Sequence, residues 1–141
     1  RSPGRRTMFV SFAAGKEKTM GRVIHFNISV DDTSRAVKFY QTVFGWRAEK
    51  WPGPVDYWLV TTGPDDKPGI NGGIGKREDA ADHTSNCIQV ASLDEAVAKI
   101  AAAGGKVLEP RMPIPGIGWF ATCLDTEGNR FDVMQPDPKA E

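Results

Sequence analysis

The chain has 141 residues, 40% of them apolar and 26% charged, a composition typical of a folded globular protein that can bury one hydrophobic core. Eighteen basic residues balance eighteen acidic ones, so the chain as a whole lacks the positive charge with which proteins bind nucleic acid or anionic membranes. No apolar run approaches the roughly 20 residues that a membrane-spanning helix needs.

Residues 1–19 differ from the rest of the chain. They are basic, with one short apolar patch at residues 8–14 that no convincing A-x-A cleavage site follows. We interpret residues 1–19 as a disordered leader or a vector-derived segment, and residues 20–141 as a single domain. Cys87 and Cys123 lie inside predicted strands with no CxxC spacing, so we expect two buried thiols in a cytoplasmic protein.

The domain contains an internal repeat with an offset of about sixty residues. Residues 25–49 read as strand, capped helix, Gly stop and strand, and residues 85–109 read in the same way. Each unit continues through a loop rich in Pro and Gly, an aromatic strand and a last strand after a turn. The pattern predicts two βαβββ modules, at residues 21–76 and 84–137, that face each other across a shared pocket.

In module one, the first strand alternates between apolar and polar residues. Phe26, Ile28 and Val30 point one way, and the polar set points the other: His25, Asn27 and Ser29. The helix that follows, with Asp32 or Thr33 as its N-cap and Gly45 after its end, carries an apolar stripe. That stripe consists of Ala36, Val37, Tyr40, Val43 and Phe44. Because the stripe must be buried against the sheet, the polar set lies on the opposite face.

Module two repeats this arrangement. Ser92 and Glu95 form a capping-box pattern before a second helix that ends at Gly104. The buried stripe of this helix consists of Leu93, Ala96, Val97 and Ile100. Further strands are predicted at residues 46–50, 57–62, 69–75, 106–109, 119–124 and 130–135. We expect the glycines of residues 69–75 to allow close backbone approach or to leave room for a ligand.

Two segments resemble the vicinal-oxygen-chelate superfamily: VIHFNISVDDTSRAVKFYQTVFGW near the start and LDTEGNRFDVMQPD near the end. That superfamily includes glyoxalase I, the extradiol dioxygenases, and the fosfomycin- and bleomycin-resistance proteins. The resemblance covers residues 21–137, is closest to the glyoxalase-like subgroup, and implies a homodimer. It also implies an α+β fold in which two βαβββ modules form an open, cup-like, eight-stranded barrel. The fold serves many activities, so the resemblance selects none of them.

In the metal-using members, each module supplies one ligand from its first strand and one from its last. Carried over to this chain, the resemblance places two ligands on His25 and Asp132. The other two positions fall on Ser85 and on Gly72 or Gly73. The implied ion is Zn, Ni, Fe or Mn, but two ligands are fewer than the three that catalytic zinc sites use.

A third donor could come from Asn27 or from His83. The alternative for Asp132 is a hydrogen bond or an ion pair, with Arg130 as its nearest basic neighbour in sequence. Aromatic residues near the two Pro/Gly loops could line a ligand site, although strand aromatics are core residues by default. Across the repeat, Tyr57 aligns with Trp119. The candidate ligand-binding residues are therefore His25, Asn27, Trp51, Tyr57, Trp119 and Arg130.

Two functions follow from this pattern. The first is a glyoxalase/bleomycin-resistance-type protein that binds a small molecule in an aromatic-lined cup, with at most a depleted metal site. The second is a divalent-metal-dependent lyase, isomerase or dioxygenase that acts on a substrate with vicinal oxygens. There the ion would be held by His25 and Asp132 and would act as a Lewis acid. The sequence contains no GxSxG or HExxH motif, and it identifies no general base.

Overall fold

The computed structural model describes residues 21–141, so the predictions for residues 1–19 lie outside the described residues. Module one contains β1 (Arg22–Val30), α1 (Thr33–Phe44), β2 (Arg47–Lys50), β3 (Tyr57–Thr61) and β4 (Asn71–Lys76). Module two contains β5 (Ser85–Gln89), α2 (Leu93–Ala102), β6 (Lys106–Ile114), β7 (Gly118–Leu124) and β8 (Arg130–Pro136). The predicted α+β fold with two βαβββ modules is confirmed.

The eight strands form one open sheet in the order β2-β3-β4-β1-β5-β8-β7-β6. Within each module the first strand is parallel to the last, β1 to β4 and β5 to β8. At the centre, β1 and β5 are antiparallel and join the two modules within one chain. Strands β2 and β6 remain at the edges, so the sheet forms a cup and does not close into a barrel.

The two helices cover the same face of the sheet. Leu93 of α2 is buried against Ala121 and Cys123 of β7 and Val133 of β8. In module one, Val37 of α1 packs in the same way against a cluster formed by β3 and β4. The helix-free face of the sheet is therefore the concave face, on which polar residues of several strands collect.

The ends of the helices follow the predicted capping chemistry. Asp32, and not Thr33, is the N-cap of α1, and its carboxylate accepts from the Arg35 amide at 3.0 Å. Ser92 caps α2 by accepting from the Glu95 amide at 3.1 Å. Gly45 ends α1 in the left-handed conformation at φ +72°. The contacts of Asp32 and Ser92 satisfy amides that the first turn of a helix leaves unpaired.

The predicted stripe of α1 is wrong at its C-terminal end. Val43 and Phe44 are 53% and 61% exposed. Tyr40 and Trp46 stack face to face with ring centroids 4.8 Å apart and belong to the core cluster beneath α1. The Phe44 ring lies 5.9 Å from that of Trp46, outside this cluster. Because the Tyr40–Trp46 stack already covers the sheet, the last turn of α1 has no apolar surface left to bury against.

Strand β6 is longer than predicted. It continues through Pro110 and Pro113 to Ile114, which pairs with Gly118 of β7. The two prolines indicated a loop at the sequence level, but β6 is an edge strand, where a missing amide donor costs little. Both cysteines are free and buried, as predicted. Within residues 21–141, neither helix has the length and apolar character of a membrane span.

Gly45 offers a test of the α1 terminus. A Cβ at Gly45 or at Gly63 would meet no described atom within 4 Å, but only Gly45 has a positive φ. We expect Gly45→Ala to lower the free energy of unfolding by about 1–2 kcal/mol, because a side chain is strained in the left-handed region. Gly63→Ala, the matched control, should change it by less than about 0.5 kcal/mol in the same urea titration. Equal effects of the two substitutions would contradict this assignment.

Candidate functional site

A row of residues crosses four strands on the concave face. His25 of β1 is paired with Cys87 of β5, Cys87 with Asp132 of β8, and Asp132 with Thr122 of β7. Paired residues of neighbouring strands point to the same side of a sheet. The structure therefore brings the two candidate metal ligands, His25 and Asp132, to one face, two strands apart.

An irregularity in β1 sets the direction of His25. Val23 pairs with Ile88 and His25 with Cys87, so Ile24 is an extra residue in the ladder. Ile24 packs against the Cys87 cluster on the concave side, whereas strict alternation would place it opposite His25. A one-residue bulge changes the face of every residue beyond it, so this bulge places both Ile24 and His25 on the concave side.

His25, Tyr57 and Asn27 form a hydrogen-bonded chain. The His25 Nε2 lies 3.1 Å from the Tyr57 hydroxyl oxygen, and the Tyr57 hydroxyl donates to Asn27 Oδ1 at 2.6 Å. Tyrosine has one O–H proton, and here it goes to Asn27. His25 therefore donates to Tyr57 from Nε2, which assigns its tautomer from the hydrogen-bond network. His25 is only 3% exposed.

The glycines of β4 make room for the ring of Tyr57. A Cβ at Gly73 would lie 1.8 Å from the Tyr57 hydroxyl oxygen, and one at Gly75 would lie 3.0 Å from the Tyr57 ring. The ring therefore lies along β4 and crosses it towards β1. The sequence predicted that these glycines allow close backbone approach or leave room for a ligand. At Gly73 and Gly75 the space is instead occupied by the side chain of Tyr57.

Asp132 is the one acidic residue in the row. Its Oδ1 is buried and has no hydrogen-bond partner among residues 21–141. Burial raises the pKa of Asp132, while a hydrogen bond from the Thr122 side chain and the charge of Arg130 act in the opposite direction. Arg130 itself donates to Asp82 Oδ1 at 2.8 Å.

Burial also controls the ionisation of His25, Tyr57 and Cys87. It lowers the pKa of His25 to about 4, so the imidazole is neutral at physiological pH. It also raises the pKa of Tyr57, as do the charges of Cys87 and Asp132. The pKa of Cys87 is raised by burial and by Asp132. These groups are thus uncharged at neutral pH.

An apolar cluster adjoins this polar row. Cys87 and Met134 are buried, and four partly buried residues pack against them: Ile24, Ile114, Ile117 and Phe120. Phe120 is paired with Met134, on the same face as Thr122 and Asp132. The concave face thus has a polar part, formed by His25, Tyr57, Asn27 and Asp132, and an apolar part around Met134 and Phe120.

Trp119 does not join this face. It packs against the Leu93 cluster on the helix side of β7, and its indole N–H donates to Asp137 at 3.0 Å. Tyr57 is paired with Gly75, and the corresponding pair in module two is Phe120 with Met134. The sequence alignment of Tyr57 with Trp119 was therefore shifted by one residue, which exchanges the two faces of a strand.

The remaining candidates are not part of the row. The Trp51 amide donates to the Tyr57 carbonyl, and its ring folds over Gly53 in the loop between β2 and β3. His83 is exposed in the linker between the modules. Sequence reasoning missed Cys87, Thr122 and Phe120 as site residues. Only strand alternation could have found them, because none belongs to a chemical motif.

The donor set does not fit a catalytic divalent metal site. Within residues 21–141, no three His, Cys, Asp or Glu side chains form a group that could hold an ion. Ser85 and either Gly72 or Gly73 occupy the remaining positions that the resemblance implies, and the His25 Nε2 is directed at Tyr57. Catalytic zinc sites use three protein ligands. Cys87 lies between His25 and Asp132 in the row, but these three side chains do not form a group that could hold an ion.

Comparison with known proteins gives matches to parts of the chain. A family model described as bleomycin resistance protein-like N-terminal matches residues 22–63. Fifty residues, 36% of the chain, are 42% identical to "Putative glyoxylase CFP32" of Mycobacterium bovis and of Mycobacterium tuberculosis. The match spans 19% of the length of these relatives.

Solved structures match most of the chain. Methylmalonyl-CoA epimerase from Mycobacterium tuberculosis has a TM-score of 0.62 and 14% identity, over 88% of this chain and 93% of that one. A Streptomyces coelicolor methylmalonyl-CoA epimerase variant in complex with 2-nitronate-propionyl-CoA has a TM-score of 0.60 and 15% identity, over 87% and 99%. At this identity the likeness shows the fold alone.

The family model, the mycobacterial relatives and the epimerases all belong to one superfamily, the one that the sequence segments resemble. With two βαβββ modules joined in a single open sheet, this chain has the fold of the vicinal-oxygen-chelate superfamily, and the family model and the mycobacterial relatives match part of its sequence.

Proposed function

We propose that the protein binds a small organic molecule on the concave face of its sheet, with no metal ion required. The observation that carries the proposal is the juxtaposition of a polar part and an apolar part on one face. His25, Tyr57 and Asn27 are ordered by mutual hydrogen bonds, and Met134 anchors the apolar part. Ligand sites commonly combine apolar walls with a few fixed polar groups.

The polar groups offer acceptors to a ligand. Asp132 Oδ1 is buried without a partner among the described residues, a situation that costs free energy until a donor reaches it. The Tyr57 proton is used by Asn27, so the hydroxyl has only acceptor capacity left. A hydroxyl or amine group on the ligand would satisfy both.

The charges on this face do not favour a carboxylate ligand. Arg130, the basic residue nearest to Asp132 in β8, is paired with Asp82. His25 is held neutral by burial and supplies no positive charge. We therefore propose a ligand with an uncharged or cationic donor group attached to an apolar body.

The comparisons support small-molecule binding in general terms. The family model describes a bleomycin resistance protein-like segment, and one epimerase structure of the same fold holds 2-nitronate-propionyl-CoA. That ligand belongs to the epimerase. What carries over to this chain is the fold alone, which is consistent with the proposed binding on its concave face.

Matched probes test the ligand chemistry. We expect benzyl alcohol and benzylamine to shift the backbone amide signals of β1 and β8 in 1H–15N spectra more strongly than benzoate does, because only the first two donate to Asp132. Asp132→Asn should weaken benzylamine binding about tenfold, since a hydrogen bond to a charged group is replaced by one to a neutral group.

Asp94→Asn is the matched control for this experiment. Asp94 lies on α2, on the helix face, and its carboxylate is exposed beside Arg111. The substitution removes one negative charge without touching the concave face, so probe binding should stay unchanged. The proposal fails if benzoate binds as well as benzylamine, or if both variants lose binding equally.

A second candidate is the divalent-metal-dependent lyase, isomerase or dioxygenase. The observation in its favour is that His25 and Asp132 share one face and that Asp132 Oδ1 is unpaired among the described residues. Against it stand the lack of a three-residue ligand group among residues 21–141 and the contact of His25 with Tyr57.

Metal content separates the two candidates. We expect protein purified without chelator to contain no stoichiometric zinc, nickel, iron or manganese by mass spectrometry, and to ignore added metal. The reason is that two protein ligands leave an ion without the coordination that catalytic sites provide. Near-stoichiometric metal that disappears in His25→Ala would establish the second candidate instead.

The neutral His25 makes stability depend on pH. In the unfolded chain its pKa is 6.5, and in the folded protein it is about 4. Between these values the unfolded state binds more protons, so the His25 contribution is fully present above pH 6.5 and is lost as the pH falls towards 4. The loss amounts to about 3 kcal/mol at pH 4.

Urea denaturation of wild type and His25→Gln at pH 7, 5.5 and 4.5 isolates this contribution. Asp132, whose pKa is raised, titrates in the opposite sense in both proteins, so the difference between them reports His25. We expect wild type to lose its advantage over the variant as the pH falls. A difference that is the same at all three pH values would contradict a buried neutral His25.

The homodimer implied by the resemblance stays a prediction. The exposed apolar residues at the end of α1, Phe39, Val43 and Phe44, are one surface on which a second copy could pack. Multi-angle light scattering of the wild type and of Phe44→Ser decides whether a dimer forms and whether it uses this surface.

A further inference from the structure

The two modules can be superposed residue by residue through their strand registers. In module one, Asn27 of β1 is paired with Gly73 of β4; in module two, Cys87 of β5 is paired with Asp132 of β8. Asn27 and Cys87 correspond at the repeat offset, so Gly73 corresponds to Asp132. The sequence left Gly72 and Gly73 as alternatives, and the register selects Gly73.

The place above Gly73 is filled by another residue. A Cβ there would lie 1.8 Å from the Tyr57 hydroxyl oxygen and 2.1 Å from the carbon that carries it. Distances below 3.0 Å are not found for real Cβ atoms. No side chain can grow from position 73 while Tyr57 stays where it is, and Tyr57 could not lie there if position 73 carried one.

The same hydroxyl also binds His25. The Nε2 to oxygen distance is 3.1 Å, and the hydroxyl passes its own proton to Asn27 at 2.6 Å. A metal ion on the side of the His25 ring that faces Tyr57 and position 73 would need the Nε2 lone pair, but the direction of this hydrogen-bonded chain puts a proton on that nitrogen. One side chain thus fills the place of a potential ligand and engages a second one.

We infer that Tyr57 takes, in module one, the place that the Asp132 carboxyl takes in module two, and that Tyr57 and Gly73 together withdraw His25 from metal coordination. In the described part of the chain, a hydrogen-bonded tyrosine thus fills one of the ligand positions that the resemblance implies. This inference is independent of the organic ligand proposed above, because it concerns only why His25 does not coordinate a metal ion.

The inference has a constructive consequence. Removing the Tyr57 side chain frees the His25 Nε2, and a carboxylate introduced at position 73 adds an oxygen donor in register with Asn27. With Asp132, the site then offers one nitrogen and two carboxylates, the number of protein ligands that a catalytic site for a divalent ion uses.

Cobalt binding tests this directly. We expect the double variant Tyr57→Ala with Gly73→Glu to bind Co²⁺ at least about tenfold more tightly than wild type by calorimetry, an effect of the size that single well-placed partners have in metal sites. Visible absorption bands of the bound Co²⁺ should accompany the binding and disappear when His25→Ala is added.

The matched control is Tyr57→Ala with Gly75→Glu. Gly75 lies on the same face of β4 as Gly73, also beneath the Tyr57 ring. It is paired with Ser29 of β1, whereas Gly73 is paired with Asn27. This control variant also replaces Tyr57 by Ala and one glycine by Glu, so it has the same net charge as the test variant. Equal Co²⁺ affinity of the two double variants overturns the inference, as does tight Co²⁺ binding by wild type through His25.

A gentler variant tests the inference without a large cavity. The chain has only two histidines, so His83→Gln leaves the His25 imidazole signals alone in a long-range 1H–15N spectrum. In the wild type we expect the ring proton of His25 on Nε2. In Tyr57→Phe, which keeps the ring and loses the hydroxyl, this proton should exchange with solvent about tenfold faster. An unprotonated Nε2 in the wild type would refute the role given to Tyr57.

Discussion

The antiparallel pairing of β1 with β5 is the constraint on which the candidate site depends. Each βαβββ module has a polar face, but neither module alone collects enough polar side chains for a site. The pairing joins the modules so that His25, Cys87 and Asp132 follow one another across three adjacent strands. A shift of this register by one residue would turn His25 into the core beneath α1 and bring Phe26 to the concave face. The bulge at Ile24 is part of the same constraint, because it sets the register from His25 onward.

Once the row is assembled, burial decides its chemistry. Taking an imidazole, a phenol, a thiol and a carboxyl out of water disfavours the charged form of each. His25, Tyr57 and Asn27 compensate each other through hydrogen bonds whose direction is determined by the single proton of Tyr57. Asp132 has only partial compensation from Thr122, which is why it is the group with most to gain from a ligand. The result is a set of ordered, uncharged dipoles beside one acidic group, and the proposed binding of an organic donor rests on this arrangement.

The repeat, the helix caps and the polar face of β1 could be predicted because they are local or periodic. Asp32, Ser92 and Gly45 act within one helical turn, and the alternation around His25 follows from the pleat of a strand. The exposed end of α1 could not be predicted, because it depends on the distant stacking of Trp46 on Tyr40. The two prolines of β6 suggested a loop, since only the sheet order reveals that they lie on an edge strand.

By itself, the sequence determined the two-module fold class and the concave-facing residues of β8 and of β1 from His25 onward, because hydrophobic periodicity needs no tertiary partner. Only the tertiary structure decided which of these residues act together. It put Trp119 on the helix face, since a one-residue difference in register exchanges the faces of a strand. It also brought Tyr57 over Gly73 and onto His25, across two strands and 32 residues of chain. That contact depends on the shape of a space that glycine leaves empty, and no spacing in the sequence encodes which side chain will fill it.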